Sequence, residues 1–258
     1  MSSEFTGERL PGTDEEFAVD MARHVAAYRW AMEQADGKTV LDVGCGEGYG
    51  TAMLAEVAAQ AVGLDRAEAV VAASARYRAP NLAYRSTDLS RLTAVEERFD
   101  LVVSFQVIEH VPDPVAFLGG LKHCTAPGGR VLVTTPNRLM SVSENPYHLR
   151  EWTAPELLAL AQPVLPTARM LGMHGSERVL AWERARGEQV QRILRLDPWG
   201  IRHRLPGFLV RGIFPKLARL VRRRLAATTP AADIGPGDFH VSEHDLERAL
   251  DLVLVADL

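Results

Sequence analysis

Apolar residues in this chain fall into short runs bounded by glycine, proline and acidic residues. Residues 40–43 form one such run, with a single acid, Asp42, inside it. Four to eight apolar residues between turn signals read as a buried strand. Residues 61–65 form a second run, which ends in Asp65, and residues 82–86, 99–104 and 130–135 form a third, fourth and fifth. Between them, residues 51–59 and 115–124 carry the longer apolar pattern of helices. The second of these helices follows Pro112-Asp113-Pro114, and proline is tolerated in a helix's first turn. Pro127-Gly128-Gly129 then turns the chain into the fifth strand. Strands alternating with helices predict an α/β fold built on a mostly parallel sheet.

The connection after the first strand narrows the chemistry. Residues 39–50 read Thr-Val-Leu-Asp-Val-Gly-Cys-Gly-Glu-Gly-Tyr-Gly. Gly44, Gly46 and Gly48 permit a sharp turn and a close backbone approach by a ligand. A strand, a glycine loop and a helix start form a nucleotide-type cradle at the carboxyl edge of a parallel sheet. A nicotinamide fingerprint would need a glycine where Tyr49 stands, and no Lys-Ser/Thr pair completes a phosphate loop. Taken alone, the loop also reads as a structural turn. The segment Leu41-Asp42-Val43-Gly44-Cys45-Gly46-Glu47-Gly48 resembles motif I of the class I S-adenosylmethionine-dependent methyltransferases. That resemblance implies S-adenosylmethionine as cofactor and S-adenosylhomocysteine as product. The ligand has a carboxylate, an ammonium and a sulfonium, and no phosphates. Asp42 would hold the ammonium, directly or through water. Backbone N–H groups of Gly44, Cys45, Gly46 and Gly48 would face the carboxylate end.

Further segments fit the same pattern in order. Asp65 stands 23 residues beyond Asp42, where an acid grips the ribose hydroxyls, with Arg66 beside it. The alternative for Asp65 is a cap on the helix starting near Ala67. The resemblance places Asp88 on the adenine amino group and Leu89 at the ring edge, although Asp88 also reads as a turn residue. Phe105-Gln106-Val107-Ile108-Glu109-His110-Val111 resembles the segment that follows the fourth strand in small-molecule methyltransferases, which puts Phe105 and Gln106 beside the transferable methyl. The resemblance covers roughly residues 1–165. It implies a Rossmann-like, seven-stranded, mostly parallel sheet of order 3-2-1-4-5-7-6 with helices on both faces. Residues 250–255 would be the antiparallel last strand and residues 167–173 its hairpin partner. The domain reading is a methyltransferase core over 1–175 and 241–258, with a helical insertion over 176–240.

Charge sharpens that division. The net charge is −4, yet residues 176–225 alone carry nine net positive charges. The insertion therefore reads first as a lid or substrate cap, second as a contact for an anionic carrier such as a nucleotide or lipid pyrophosphate, and third as a peripheral membrane contact. Pro215 interrupts any single long helix in it. Nucleic acid is not expected as a partner, because the overall charge is negative and no nucleic-acid motif accompanies the patch. At 258 residues with 47% hydrophobic content, the chain can bury a full core. No apolar run approaches the roughly 18 residues of a membrane span. The N-terminus has no signal core, and the two cysteines, Cys45 and Cys124, lack a disulfide or metal spacing. A cytoplasmic location is expected, no metal ligand set is recognised, and the oligomeric state stays open.

A hydroxyl acceptor would need a base, worth a factor of about 10²–10⁴. Of the eight histidines, His110 lies in the segment next to the methyl and His148 follows the fifth strand. Both are candidate catalytic residues. His110 also reads as a histidine bonded to a backbone carbonyl. Tyr147, Arg150, Glu151 and Trp152 surround His148 with a polar and aromatic set suited to a polyol, while Trp152 reads equally as core and Thr153 as a helix cap. Phe5-Thr6-Gly7-Glu8-Arg9-Leu10, Thr135-Pro136-Asn137-Arg138 and the run 145–151 resemble a bacterial subgroup active in saccharide biosynthesis. That implies O-methylation of a sugar, glycan or nucleotide-linked small molecule. It also implies that His24 and Tyr28 on the first helix contact cofactor or acceptor. The alternatives are methylation of a quinone or another lipophilic molecule, and a non-catalytic cofactor-binding subunit.

Overall fold

The computed structural model describes residues 17–141, 145, 147–194 and 233–258. The N-terminal run around Phe5 and Glu8 and the basic run from Phe208 to Leu225 lie outside the described residues. The elements are α1 (Ala18–Met32), β1 (Thr39–Val43), α2 (Tyr49–Ala55), β2 (Gln60–Asp65), α3 (Ala67–Arg76), β3 (Leu82–Ser86) and β4 (Phe99–Phe105). They continue with α4 (Pro114–Cys124), β5 (Thr125–Pro136), α5 (Ala154–Ala161), β6 (Arg169–Gly175), α6 (Glu177–Leu194), β7 (Phe239–Ser242) and β8 (Asp251–Asp257).

The strands form one sheet of order β3-β2-β1-β4-β5-β8-β6-β7. β1, β2, β3, β4 and β5 pair in parallel, whereas β8 runs antiparallel to both β5 and β6. The expected Rossmann-like order holds across its first seven positions, with β8 as the last antiparallel strand. The sheet has eight strands and not seven. The extra one, β7, pairs antiparallel with β6 at the edge, with Phe239 opposite Gly175. Its short Phe-His-Val-Ser pattern buries only Phe239, so its apolar signal is slight. The helix after the glycine loop is also shorter than the pattern predicted: it spans Tyr49–Ala55.

Side chains of a strand alternate between faces, and here both faces are covered. Leu41, Val43, Val131 and Val133 face a core completed by Leu118 and Leu121 of α4 and Leu157 of α5. Val40, Leu101, Val103 and Leu132 face a second core with Tyr28 of α1, Leu54 of α2 and Trp182 of α6. The first helix of the basic region thus packs on the sheet. Asp113 caps α4 by accepting from the Ala116 amide at 2.9 Å, and Pro114 takes the first helical position. Among the described residues, no helix is long and apolar enough to cross a membrane.

Trp152 answers one of the alternatives above. It is 1% exposed and packs in the α4–α5 core, and Thr153 starts α5 with Glu156 accepting from its backbone amide at 2.9 Å. Trp152→Ala should therefore lower the unfolding free energy by about 3–5 kcal/mol in urea titration. Val71→Ala, at a site 70% exposed, should change it by no more than about 0.5 kcal/mol. A Trp152→Ala protein as stable as the parent would contradict the core assignment.

Candidate active site

The glycine loop leaves the carboxyl end of β1. Gly44 and Gly48 both have φ 83°, a left-handed conformation that side-chain-bearing residues rarely adopt. A Cβ at Gly44 would also fall 2.5 Å from Val107 Cγ2, so the loop abuts the segment that follows β4. Gly48 precedes α2, and its carbonyl accepts from the Tyr84 hydroxyl at 2.6 Å. At Gly46 a Cβ would meet nothing within 4 Å. The loop is thus braced beneath and open above, as a cradle for a ligand must be.

Asp65, at the tip of β2, stands beside that open face. Its Oδ2 accepts from the Gly46 amide at 2.8 Å and its Oδ1 from the Arg66 amide at 2.6 Å. Arg66 is exposed at the start of α3. Asp88 caps a short 3₁₀ turn, its Oδ1 accepting from the Ser90 amide at 2.9 Å and hydroxyl at 2.8 Å. Those bonds hold its carboxyl below the usual range. Leu89 is half-buried against the α4 core. Cys45 is buried, and burial pushes its thiol well up. Its small buried side chain suits a filler of the loop.

Asp42 lies under the loop and is fully buried. The Thr51 hydroxyl donates to it at 2.7 Å, and the Tyr28 hydroxyl reaches both carboxylate oxygens at 3.2 and 3.3 Å. Its oxygens are thus engaged from below, and the described contacts make it a brace for the loop. Burial pushes its carboxyl up to about 7, against the two hydroxyl bonds. Tyr28 joins α1 to the site: a Cβ at Gly50 would overlap its ring, and Phe105 packs edge-on at 4.9 Å. His24 bonds the Tyr49 hydroxyl, and burial lowers its pKa to about 4, leaving the ring neutral at physiological pH. Phe105 is buried at the end of β4. Gln106 has φ 58°, and its amide donates to the Thr134 carbonyl at 2.9 Å.

The structure brings His110 and His148 together. Their rings meet edge to face with centroids 5.0 Å apart. His110 ends the 3₁₀ turn Ile108–His110, and its Nδ1 lies 2.9 Å from the Tyr147 carbonyl, so this nitrogen donates. His148 places Nδ1 2.5 Å from Glu151 Oε1, and its Nε2 takes the Asn145 amide at 2.9 Å. Ser141 also donates to Glu151. Burial raises the Glu151 pKa, but bonds from His148 and Ser141 outweigh it, so the net shift is downward.

Two acids here went unread as site residues. Glu109 is 1% exposed; its Oε2 accepts from the Thr135 hydroxyl at 3.0 Å, and its carbonyl accepts the Leu149 amide at 2.7 Å. Burial pushes its carboxyl up to about 7. Asp251 opens β8 opposite Pro136 and meets Arg23 Nε at 3.3 Å. Both acids interrupt apolar runs, Val107-Ile108-Glu109 and Leu250-Asp251-Leu252. That is the signal that drew attention to Asp42; it marks both as buried acids but not which residues they meet.

A family profile described as a methyltransferase domain matches residues 17–169. A Mycolicibacterium smegmatis protein named a probable S-adenosylmethionine-dependent methyltransferase is 34% identical over 263 residues, which covers 97% of this chain and 93% of that protein. A ubiquinone biosynthesis O-methyltransferase of Cereibacter sphaeroides is 36% identical over 106 residues, 40% of this chain and 43% of its own length. The crystal structure of a Mesorhizobium loti S-adenosylmethionine-dependent methyltransferase superposes with a TM-score of 0.54 at 16% identity, over 93% of this chain and 100% of that one.

The buried Asp42 makes stability depend on pH. A carboxyl raised above its ordinary 3.8 binds its proton more tightly in the fold than in the unfolded chain. Its contribution is complete below about pH 4 and is lost as pH rises through about 7. From pH 4 to 8, Asp42→Asn should gain stability relative to the parent by on the order of 4 kcal/mol. Urea unfolding at both pH values measures the change, and a difference that does not vary with pH refutes it.

Proposed function

Since the chain belongs to the class I S-adenosylmethionine-dependent methyltransferases, it is a methyltransferase, and we propose that it methylates a hydroxyl on a sugar, glycan or nucleotide-linked saccharide. The observation that carries this reading is the polar group of Glu109, His110, His148 and Glu151 at the carboxyl edge of β4 and β5, two residues beyond the Val107 that touches the glycine loop. Such an edge is where α/β sheets bind ligands. The cradle fits the cofactor: the space above Gly46 is open, and Asp65 stands at its rim. When bound, S-adenosylmethionine supplies an electrophilic methyl on a sulfonium. The Gly44–Gly48 loop would hold its methionine part, with Asp42 as support. Asp65 would hold the ribose, and Asp88 and Leu89 would flank the adenine.

The residues of the chain then orient the acceptor and move its proton. Glu151 accepts a hydrogen bond from His148 Nδ1–H and so fixes the tautomer in which Nε2 accepts. A carboxylate–imidazole pair of this kind suits removal of a hydroxyl proton near neutral pH. Tyr147 holds His110 through its carbonyl, edge-on to His148. The density of donors and acceptors favours a polyol. The basic charge between residues 176 and 225 suits an anionic carrier on the sugar. A quinol acceptor is the second reading, favoured by the partial match to a ubiquinone biosynthesis enzyme and by Leu149, which follows His148 and is 56% exposed.

Two measurements test the proposal. Asp65→Ala should weaken S-adenosylhomocysteine binding by roughly 10- to 100-fold in isothermal titration, the value of hydrogen bonds to a charged acceptor. Radiolabelled methyl transfer to a panel of free sugars, nucleotide sugars and quinols separates the acceptors. Labelling confined to quinols would replace the saccharide reading, and cofactor binding with no labelled product in any arm would favour a binding-only protein.

A further inference from the structure

Glu109, His110 and His148 each offer one ligand atom, and these atoms all lie within 4.8 Å of one another. We infer that this trio is a site for a divalent first-row transition-metal ion, which binds the acceptor oxygen. The position beside the methyl rests on the function proposed above; the metal site itself does not.

Three observations carry the assignment. The first is an orphan. Glu109 is 1% exposed, and its Oε1 has no hydrogen-bond partner among the described residues, whereas Oε2 takes the Thr135 hydroxyl. A buried carboxylate oxygen without a partner costs free energy, and native folds keep few of them. A cation at this point would satisfy it. The second is the orientation of the rings. Metal-bound histidines donate their other ring N–H to a carbonyl or a carboxylate. Here His110 Nδ1 faces the Tyr147 carbonyl at 2.9 Å and His148 Nδ1 faces Glu151 Oε1 at 2.5 Å. Both tautomers are thereby set with Nε2 as the ligating atom. The third is position. Glu109 and His110 come from the turn after β4 and His148 from the loop after β5, and the Leu149 amide bonds the Glu109 carbonyl at 2.7 Å, which ties the two segments together.

The donor set selects the ion. Two imidazoles and one carboxylate suit zinc, cobalt, iron or manganese, whereas magnesium and calcium prefer all-oxygen shells. Three protein ligands leave coordination positions for a substrate oxygen, as catalytic sites do. Ligands of a tetrahedral ion with bonds of about 2.1 Å stand ~3.4 Å apart, so the trio has to draw in slightly. The Asn145 amide now on His148 Nε2 has to yield its place. A hydroxyl bound there loses its proton to solvent water more readily, through Lewis-acid polarisation. On this account His148 serves as a metal ligand, which replaces the base role given to it above, and Glu151 holds its ring for that purpose.

The test uses the full chain, stripped with a chelator and titrated with Co(II), whose visible absorption reports imidazole ligation. About one Co(II) per chain should bind, with tetrahedral or five-coordinate bands. Glu109→Gln, which keeps the buried shape, and His148→Ala should each abolish the bands. Glu151→Gln, which only loosens His148, should weaken binding by roughly 10- to 100-fold. Each sample is also titrated with S-adenosylhomocysteine. Bands that survive both ligand variants overturn the site, and so does a protein that takes up no Co(II) while binding S-adenosylhomocysteine normally. Co(II) bands in a protein that does not bind S-adenosylhomocysteine leave the site standing and remove the methyltransferase reading of its role. If neither binds, both fail.

Discussion

The buried carboxylate of Asp42 is the constraint on which the site's geometry depends. It sits in the middle of the sheet, on β1, and receives hydroxyls from two different helices: Tyr28 of α1 and Thr51 of α2. A fully buried carboxyl is costly unless its oxygens are satisfied. The fold satisfies it by drawing α1 and α2 toward the strand end where the glycine loop begins. The consequences propagate through contact. Tyr28 fills the space over Gly50, and Gly50 could carry no side chain there. Tyr28 also packs on Phe105, which fixes the end of β4. Thr51 helps seat α2, so the loop between Val43 and Tyr49 is held at both ends while its outer face stays open.

A second set of charges, with three buried carboxylates, performs a similar service at the start of β8. Arg23 of α1 lies within salt-bridge distance of Asp20, Glu183 and Asp251. Arg186 of α6 adds contacts to Asp20 and Glu183. Burial works against the Arg23 charge, but the carboxylates of Asp251, Glu183 and Asp20 outweigh it and keep the guanidinium protonated. This network fastens α6, the start of the basic region, to α1 and to the first residue of β8. Removing one member would leave buried charges uncompensated, which costs more than the pair contributes. The helix that leads into the basic region is therefore anchored through Asp251 to the sheet edge at the carboxyl end of β5.

Much of this could be read from the amino-acid sequence, for physical reasons that differ by residue. The acid-tipped strand ending in Asp65 stands out because it is a buried run closed by a polar residue. The glycines of the loop stand out because few other residues reach φ 83°. The edge strand β7 did not stand out. Four residues with one buried side chain carry almost no periodic signal, and its existence depends on pairing with β6, a partner more than sixty residues earlier in the chain. Asp88 was legible only as an acid, and both of its readings remain compatible with a carboxyl whose Oδ1 bonds Ser90. Glu109 was passed over because a single acid in an apolar stretch does not announce which neighbours it will meet. Only the fold reveals that residue 148 returns to it.

That return is what turns three separate residues into one chemical unit. β4 and β5 are parallel neighbours, so the segments leaving their carboxyl ends must emerge side by side. The first carries Glu109 and His110, and the second folds back through Tyr147 and Leu149 onto the Glu109 main chain. A buried glutamate on one of them would be a liability in an isolated turn. Held against two imidazoles whose Nδ1 atoms are already committed, it becomes the missing charge balance for a cation, or the polar wall of a pocket for a hydroxyl. Either use requires the same backbone arrangement. The arrangement begins at Val107, whose side chain packs against Gly44 and joins this edge of the sheet to the glycine loop.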